Sequence, residues 1–157
     1  MFTVRKATIG DSERIARIEE ENFSDPWSKK NIEDFILSGH TLSLVILDDH
    51  DEVKGHLLST YAGEGFPEGG ESEIDTFAVS DDIKGKGAGT LLLKEYFKVL
   101  SELNVRKTAL EVRVSNIAAI KSYEKFGFAT VNKRKDFYTD PLEDAYIMIR
   151  EEKEKDA

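Results

Sequence analysis

Residues 84–90 read Lys-Gly-Lys-Gly-Ala-Gly-Thr, a glycine-rich turn between a predicted strand over 74–79 and a predicted helix over 88–103. Alternating glycines let backbone amides approach a ligand closely, and a helix N-terminus adds unpaired N–H groups at the positive end of a dipole. The turn therefore predicts a phosphate site, with a flexible segment that merely opens a helix as the alternative. It matches neither a Walker loop nor a dinucleotide fingerprint, whose third glycine position falls on Thr90.

A second strand-to-helix unit follows the first. Residues 108–114 alternate as a strand, and residues 116–126 have the spacing of a helix. If the chain reverses between them, Glu111 on the strand and Tyr123 on the helix lie at similar heights. A carboxylate and a phenol at one level predict an acid–base pair. The alternatives are a half-exposed ion pair of Glu111 with Arg113, and a tyrosine at the edge of the core.

The remaining segments predict more strands, two more helices and one domain. Strands are expected over 2–7, 42–47, 53–61, 128–131 and 145–149, and helices begin near residue 12 and after Ser28. Residues 62–70 hold four glycines and a proline, which predicts a mobile loop. The domain is expected over residues 1–150, with 151–157 as a charged tail that frays.

Composition excludes several classes of protein. The net charge of 22 − 31 = −9 argues against a general nucleic-acid binder, whose affinity depends on Lys and Arg. The absence of cysteine excludes disulfides, thiolate metal sites and a cysteine nucleophile, and the three histidines have no metal-ligand spacing, so no metal is expected. The longest run without charged residues, 35–47, is shorter than the ~20 apolar residues that span a bilayer. We therefore expect a cytoplasmic protein without membrane or nucleic-acid partners.

The charge is distributed unevenly along the chain. Residues 84–135 contain twelve Lys and Arg and four Asp and Glu, a net of +8, which leaves −17 for the rest. One basic and one acidic face could hold an anion beside a cation. The alternative is two solvated surfaces.

Four further stretches carry a family resemblance. They are Ile18-Glu19 with Phe23 and Pro26-Trp27-Ser28, then Phe77-Ala78-Val79, then Leu110-Glu111-Val112-Arg113 through Ser115-Asn116 to Tyr123, and finally Tyr138 with Pro141 and Glu143-Asp144-Ala145. With the glycine turn, they make the chain resemble the GNAT superfamily of acetyl-CoA-dependent N-acetyltransferases. Within it, the chain is most similar to the bacterial ribosomal-protein-alanine N-acetyltransferase branch. It departs from the branch at Lys84, where Gln or Arg is usual, and at the more polar pair Asp75-Thr76.

The resemblance implies a mixed α/β fold with a sheet of about seven strands, splayed between the fourth and fifth strands and covered by helices on both faces. The cosubstrate would be acetyl-CoA, with its pyrophosphate on the glycine turn and its pantetheine in the splay. The cofactor-binding residues that it implies are Phe77, Ala78, Val79, Lys84, Gly85, Lys86, Gly87, Ala88, Gly89, Thr90 and Asn116.

The resemblance also implies catalytic roles. Glu111 would be the general base that takes a proton from the acceptor amine, through water, and Tyr123 would donate a proton to the departing CoA thiolate. Glu73 is a second candidate base, with an exposed strand-edge residue as the alternative. Trp27 and Tyr138 would wall the acceptor pocket, although Trp27 could equally be a core anchor.

The function implied is transfer of acetyl to the N-terminal α-amine, of the alanine type, of a basic protein such as a ribosomal protein. Asp and Glu residues around 64–73 would attract that basic chain. Two alternatives are an acetyltransferase acting on a small amine or on lysine, and a CoA-binding module without turnover. The presence of Glu111, Asn116 and Tyr123 argues against the module.

Overall fold

The computed structural model describes residues 1–152, in which seven strands form one mixed sheet. The strands are β1 (Thr3–Lys6), β2 (Thr41–Leu47), β3 (Val53–Ala62), β4 (Gly70–Val79), β5 (Val105–Arg113), β6 (Ala129–Thr139) and β7 (Leu142–Glu151). The helices are α1 (Ser12–Asn22), α2 (Lys29–Leu37), α3 (Ala88–Glu102) and α4 (Ile117–Lys125). Of the predicted tail, Glu151 closes β7 and residues 153–157 lie outside the described residues. Within residues 1–152, every helix is too short or too polar to cross a membrane.

The strand order is β1-β2-β3-β4-β5-β7-β6, and every neighbouring pair is antiparallel except β4 and β5. This parallel pair is hydrogen-bonded only from Gly70 to Glu73 on β4 and from Val105 to Ala109 on β5. Beyond Glu73 and Ala109 the two strands separate. The structure therefore confirms the predicted sheet, including its splay between the fourth and fifth strands.

Two hydrophobic cores cover the two faces of the sheet. On one face α3 contributes Leu92, Tyr96 and Leu100, which follow one another at helical spacing and are all fully or almost fully buried. On the other face α1 and α2 contribute Ile15, Ile18 and Ile32, which are fully buried. Helices on both faces leave the gap between β4 and β5 open at one end of the sheet.

A β-bulge interrupts β4 just beyond its pairing with β5. Ser59 pairs with Ile74 and Leu58 pairs with Thr76, so Asp75 is an extra residue opposite β3. An extra residue reverses the faces of the side chains that follow it. Accordingly Ile74 packs in the α3 core, whereas Thr76 contacts α1 on the opposite face.

The predicted mobile loop over 62–70 is shorter in the structure, because β3 reaches Ala62 and β4 starts at Gly70 rather than at Ile74. A Cβ at Gly70 would lie 2.4 Å from the Ala62 carbonyl oxygen, so this close approach requires glycine. The Asn104 side chain donates to two carbonyls of the turn, those of Glu64 and Phe66. Strand β6 is also longer than predicted, since it is an exposed edge strand without an apolar repeat.

Candidate active site

A cleft of about 1100 Å³ opens where β4 and β5 separate. Its walls come from β4, the glycine turn, β5, α4, the segment between α1 and α2, and the turn between β6 and β7. The predicted site residues that line it are Trp27, Phe77, Ala78, Val79, Lys84, Gly85, Gly87, Ala88, Gly89, Thr90, Glu111, Asn116, Tyr123 and Tyr138. Glu73 and Lys86 lie outside this lining.

The glycine turn presents backbone amides to one end of the cleft. Gly85 and Gly87 have φ values of +79° and +85°, and α3 begins directly after Gly87. An added Cβ at either glycine meets nothing within 4 Å, so the requirement for glycine here is conformational. The first N–H groups of α3 have no partner within the helix, which suits a phosphate. Lys84 forms an ion pair with Asp81 at 2.6 Å.

We expect Gly87→Ala to weaken acetyl-CoA binding about tenfold. A side chain at this left-handed position costs roughly 1–2 kcal/mol, and relaxation of that strain displaces the first amides of α3. Calorimetric titration with acetyl-CoA measures the change. Gly39→Ala is the matched control, because its Cβ also meets nothing within 4 Å and it follows α2, outside the cleft. An unchanged affinity in Gly87→Ala would contradict this role of the turn.

Glu111 enters the cleft from β5. Its neighbours Leu110 and Val112 belong to the α3 core, so Glu111 faces the α1–α2 side of the sheet. Arg134 of β6 donates to its carboxylate at 3.2 Å. Partial burial raises the pKa of Glu111, Arg134 opposes this, and the negative charge of Glu73 adds to it, with a net rise.

Tyr123 enters the cleft from α4, on the α3 side of the sheet. Its ring packs against Phe77 and Phe128, with centroids 6.3 and 5.6 Å away. Burial raises the pKa of Tyr123 well above its ordinary value, and Tyr138 adds to the rise. The phenol is therefore protonated at neutral pH and can donate a hydrogen bond.

Tyr138 is electrostatically linked to both of these groups. Burial raises its pKa, and the charge of Glu111 raises it further. The Arg113 guanidinium lies 4.2 Å from the Tyr138 ring centroid and donates to the carbonyls of Asp140 and Pro141 and to the carboxylate of Glu143. Arg113 thus fixes the β6–β7 turn against the cleft. It pairs with Glu143, and Glu111 pairs with Arg134, in place of the alternative Glu111–Arg113 ion pair.

Sequence reasoning missed a buried polar network on the α1 side of the cleft. Glu19 Oε2 accepts hydrogen bonds from His56 Nε2 and Thr76 Oγ1, both at 2.7 Å. Its other oxygen accepts from the Trp27 backbone N–H at 3.3 Å. Glu19 and His56 are 1% and 0% exposed, so this network fixes the segment that carries Trp27. Nothing in the spacing of the histidines indicated it.

We expect Glu19→Ala to lower the free energy of unfolding by about 3–5 kcal/mol, because it leaves a buried histidine, a hydroxyl and a backbone N–H without their acceptor. Urea unfolding measures the loss. Glu20→Ala, at the exposed neighbour on the same helix, should change it by no more than about 0.5 kcal/mol. Equal effects of the two substitutions would contradict the assignment.

Asp75, the bulge residue of β4, also lines the cleft and was not predicted as a site residue. Burial and the charge of Glu73 raise its pKa to about 6, with a further contribution from Glu111 and an opposing one from Thr60. Its Oδ2 atom is buried and has no hydrogen-bond partner among residues 1–152. Glu73, Asp75 and Glu111 therefore form a carboxylate cluster beside the cleft.

Acidic residues other than those expected line the cleft. Asp25 and Asp140 belong to the lining, whereas the acidic residues of segment 64–73 lie outside it. Two of the latter are paired elsewhere, Glu64 with His40 at 3.1 Å and Glu71 with Lys107 at 3.8 Å.

In the part of the chain that the structure describes, no group of three or more His, Asp and Glu residues could hold a metal ion.

Comparison with known proteins assigns this architecture to a family. The sequence profile of the acetyltransferase (GNAT) family matches residues 12–128. The chain belongs to the GNAT family. A Bacillus subtilis (strain 168) protein provisionally named a ribosomal protein bS18-alanine N-acetyltransferase is 31% identical over 92% of both chains. The N-alpha-acetyltransferase of Saccharolobus solfataricus is 30% identical over 95% of this chain and 92% of its own.

Solved GNAT structures agree with the fold. The ribosomal-protein-S18-alanine N-acetyltransferase from Escherichia coli superposes with a TM-score of 0.87 and 26% identity, covering 99% of this chain and 97% of its own. Arabidopsis thaliana NAA60 in complex with acetyl-CoA has the same fold, with a TM-score of 0.84 and 20% identity over 96% and 99% of the two chains. The predicted resemblance is confirmed. This GNAT protein is an N-acetyltransferase that uses acetyl-CoA.

Proposed function

We propose that this enzyme transfers acetyl from acetyl-CoA to the N-terminal α-amine, of the alanine type, of a basic protein such as a ribosomal protein. The observation that carries the proposal is that Glu111 and Tyr123 enter one cleft from opposite faces of the splayed sheet, and that Tyr138 lines the same cleft. The names of the Bacillus and Saccharolobus relatives, an alanine N-acetyltransferase and an N-alpha-acetyltransferase, support an α-amine as the acceptor.

The glycine turn and β4 hold the cosubstrate in this proposal. The amides of residues 85–90 bind the pyrophosphate at the start of α3, where glycine backbone leaves room for it. Phe77 and Val79 pack against the pantetheine, and Asn116 contacts the same arm from the start of α4. Bound in this way, acetyl-CoA supplies an acyl group already activated as a thioester.

Glu111 acts as the general base. Its carboxylate faces the α1–α2 side, where the acceptor enters, and takes a proton from the amine directly or through one water. A pKa raised above that of an ordinary glutamate brings the group closer to the working pH. Arg134 keeps one carboxylate oxygen oriented toward β6.

Tyr123 acts on the leaving sulfur. A thiol has a pKa of about 8.5, below that of the buried phenol, so complete proton transfer from Tyr123 to a thiolate is uphill. The phenol instead donates a hydrogen bond that strengthens as negative charge develops on sulfur. A donor aimed at developing charge in a site shielded from water stabilises the transition state strongly.

The chemistry of the amine favours an N-terminus over a lysine. At pH 7 roughly a tenth or more of an α-amine with a pKa of about 7.7–8.0 is already neutral, whereas neutralising a lysine with a pKa of about 10.4 costs about 4.6 kcal/mol. A glutamate with a slightly raised pKa is a strong enough base for an α-amine but not for a lysine side chain. Asp25 and Asp140 at the rim add attraction for a basic chain.

Two segments form the acceptor entrance. Ser24 of the α1–α2 segment donates to the backbone carbonyl of Asp140 in the β6–β7 turn, which joins the two walls. Trp27 lies on one side, held by Glu19 and packed against Phe35 at 5.2 Å. Tyr138 lies on the other side, held by Arg113. An N-terminus can enter this opening with its chain extending into solvent.

Mass spectrometry of two matched basic peptides tests the proposal. One peptide has a free N-terminal Ala and no lysine, and the other has a blocked N-terminus and one internal lysine. Acetyl transfer from acetyl-CoA to the first alone is the expected result. Transfer to the second alone would identify a lysine acetyltransferase. Transfer to neither, with acetyl-CoA still bound, would direct the search to small amines and reject the proposed acceptor.

A further inference from the structure

We propose that Asp75 is a second proton acceptor of the reaction, which takes the first proton from an acceptor that arrives as an ammonium ion. The inference rests on the proposed roles of Glu111 and Tyr123. The acceptor ammonium would lie on the α1–α2 side of the gap between β4 and β5, with Asp75 on the β4 wall and Glu111 on the β5 wall. Two carboxylates would then serve one nitrogen.

The backbone explains why the residue lies there. The pairing of β4 with β5 ends at Glu73, and the bulge follows two residues later. Asp75 is therefore at the start of the open gap. Glu73, the acidic residue expected to act on this strand, lies outside the cleft, whereas Asp75 lines it. A regular strand would not add this extra residue at the gap.

Hydrogen bonds with Thr60 satisfy only part of the Asp75 carboxylate. Its Oδ2 atom is buried and without a hydrogen-bond partner among residues 1–152, and a buried carboxylate oxygen in that condition is costly. An ammonium group in the cleft carries three N–H donors and a positive charge. It can therefore donate a hydrogen bond to Oδ2 and offset the negative charge of the carboxylate. Glu111 differs, because Arg134 donates to it and neither of its oxygens is among the buried atoms of residues 1–152 that lack a partner.

The charges that face Asp75 from each neighbouring element favour a cation. Glu73 lies on β4 itself and Glu111 lies on β5. Burial, the charge of Glu73 and the charge of Glu111 together raise the pKa of Asp75 to about 6. From β3 the facing group is the uncharged Thr60, whose side-chain and backbone hydrogen bonds to the carboxylate oppose the rise in pKa. From α3 the ionisable group that interacts with Asp75 is the neutral phenol of Tyr96, which lies on the other face of the sheet and whose pKa the charge of Asp75 raises.

On the α1 side the neighbouring ionisable pair is Glu19 with His56. It reaches β4 through the Thr76 hydroxyl, one residue after Asp75. The positive charge of Arg134 reaches the cluster only through its pair with Glu111. The cluster of Glu73, Asp75 and Glu111 is therefore poised to receive a proton, and an incoming ammonium supplies one.

The proton balance of the reaction calls for two acceptors. An ammonium nitrogen loses two protons when it becomes a secondary amide, one before attack and one as the N–C bond forms and the C–S bond breaks. Asp75 takes the first and Glu111 takes the second. The sulfur leaves with the electron pair of the broken bond, hydrogen-bonded to Tyr123. One of the two protons ends on the thiol of CoA and the other is released to solvent.

The pH profile of kcat/KM for the amine tests this assignment. With Asp75 as acceptor, the ammonium form is productive, and the acidic limb of the wild-type profile follows Asp75, near pH 6. In Asp75→Asn only the neutral amine is productive. The midpoint of the acidic limb therefore moves up to the pKa of the amine, about 7.7–8.0 for an α-amine. At pH 6.5 the rate should fall by roughly 10- to 30-fold. Glu71→Gln, an exposed change on the same strand, is the matched control.

Three outcomes decide the matter. A limb that moves upward in Asp75→Asn supports the proposal, and a limb that stays in place while the rate falls would assign Asp75 a structural role and overturn it. If Asp75→Asn does not fold, the wild-type profile decides, because a limb at the pKa of the free amine overturns the proposal. The comparison uses whichever primary amine the wild type acetylates. Failure with the Ala peptide therefore rejects the proposed acceptor and leaves Asp75 to be tested on another amine.

Discussion

Glu111→Gln should lower kcat for acetyl transfer by about 10²–10⁴-fold while leaving the affinity for acetyl-CoA unchanged. The amide has almost the shape of the carboxylate but cannot accept a proton at neutral pH. The proposed cofactor contacts lie on the glycine turn, β4 and the start of α4, whereas Glu111 lies on β5. Steady-state kinetics with an Ala-initiated peptide and calorimetry with acetyl-CoA measure the two quantities separately.

The loss of the Arg134 ion pair cannot account for such a fall. Arg134 is 57% exposed at its side chain, and exposed pairs contribute about 0–1 kcal/mol to stability. Glu124→Gln, at an exposed position on α4 outside the cleft, should leave kcat at the wild-type value. If Glu111→Gln retained most of its turnover, the general base would have to be sought elsewhere in the carboxylate cluster.

Tyr123→Phe should lower kcat by about 10²–10³-fold, the usual effect of removing one donor aimed at developing charge. The substitution removes only the hydroxyl, so the ring contacts with Phe77 and Phe128 persist. Since the role is a hydrogen bond to sulfur, a better leaving thiol should recover part of the lost rate. Comparison of acetyl-CoA with an acetyl thioester of a more acidic thiol measures this recovery.

Tyr146→Phe is the matched control for Tyr123→Phe. Tyr146 is a half-buried tyrosine of β7 that packs on the same core and lies outside the cleft lining. Its substitution should leave kcat unchanged. Equal rates for Tyr123→Phe and wild type with both thioesters would show that the phenol has no part in the departure of the thiolate.

Local signals in the sequence were sufficient for much of the site. The glycine turn needs only the conformational freedom of Gly85 and Gly87, and both have positive φ values. The caps of α2 and α4 are equally local, since the side chains of Ser28 and Asn116 accept from backbone N–H groups three residues later. Glu111 and Tyr123 belong to one strand-to-helix unit, and both line the cleft.

Features that depend on pairing between distant segments were beyond the sequence. The bulge at Asp75 exists only because β3 and β4 pair with an offset of one residue, and no residue pattern announces it. The Glu19–His56 bond joins positions 37 residues apart. The family resemblance indicated Glu73 as the second candidate base, whereas it is Asp75, at the bulge, that lines the cleft.

A crystal structure of the enzyme with a conjugate of CoA and an Ala-initiated peptide is the most direct test of the proposed function. We expect the pyrophosphate on the amides of residues 85–90, the linker in the gap between β4 and β5, and the alanine nitrogen within direct or one-water hydrogen-bond reach of Glu111. The peptide should leave between Trp27 and Tyr138. A conjugate bound with its alanine nitrogen remote from Glu111, or with its peptide leaving by another route, would contradict the proposed function.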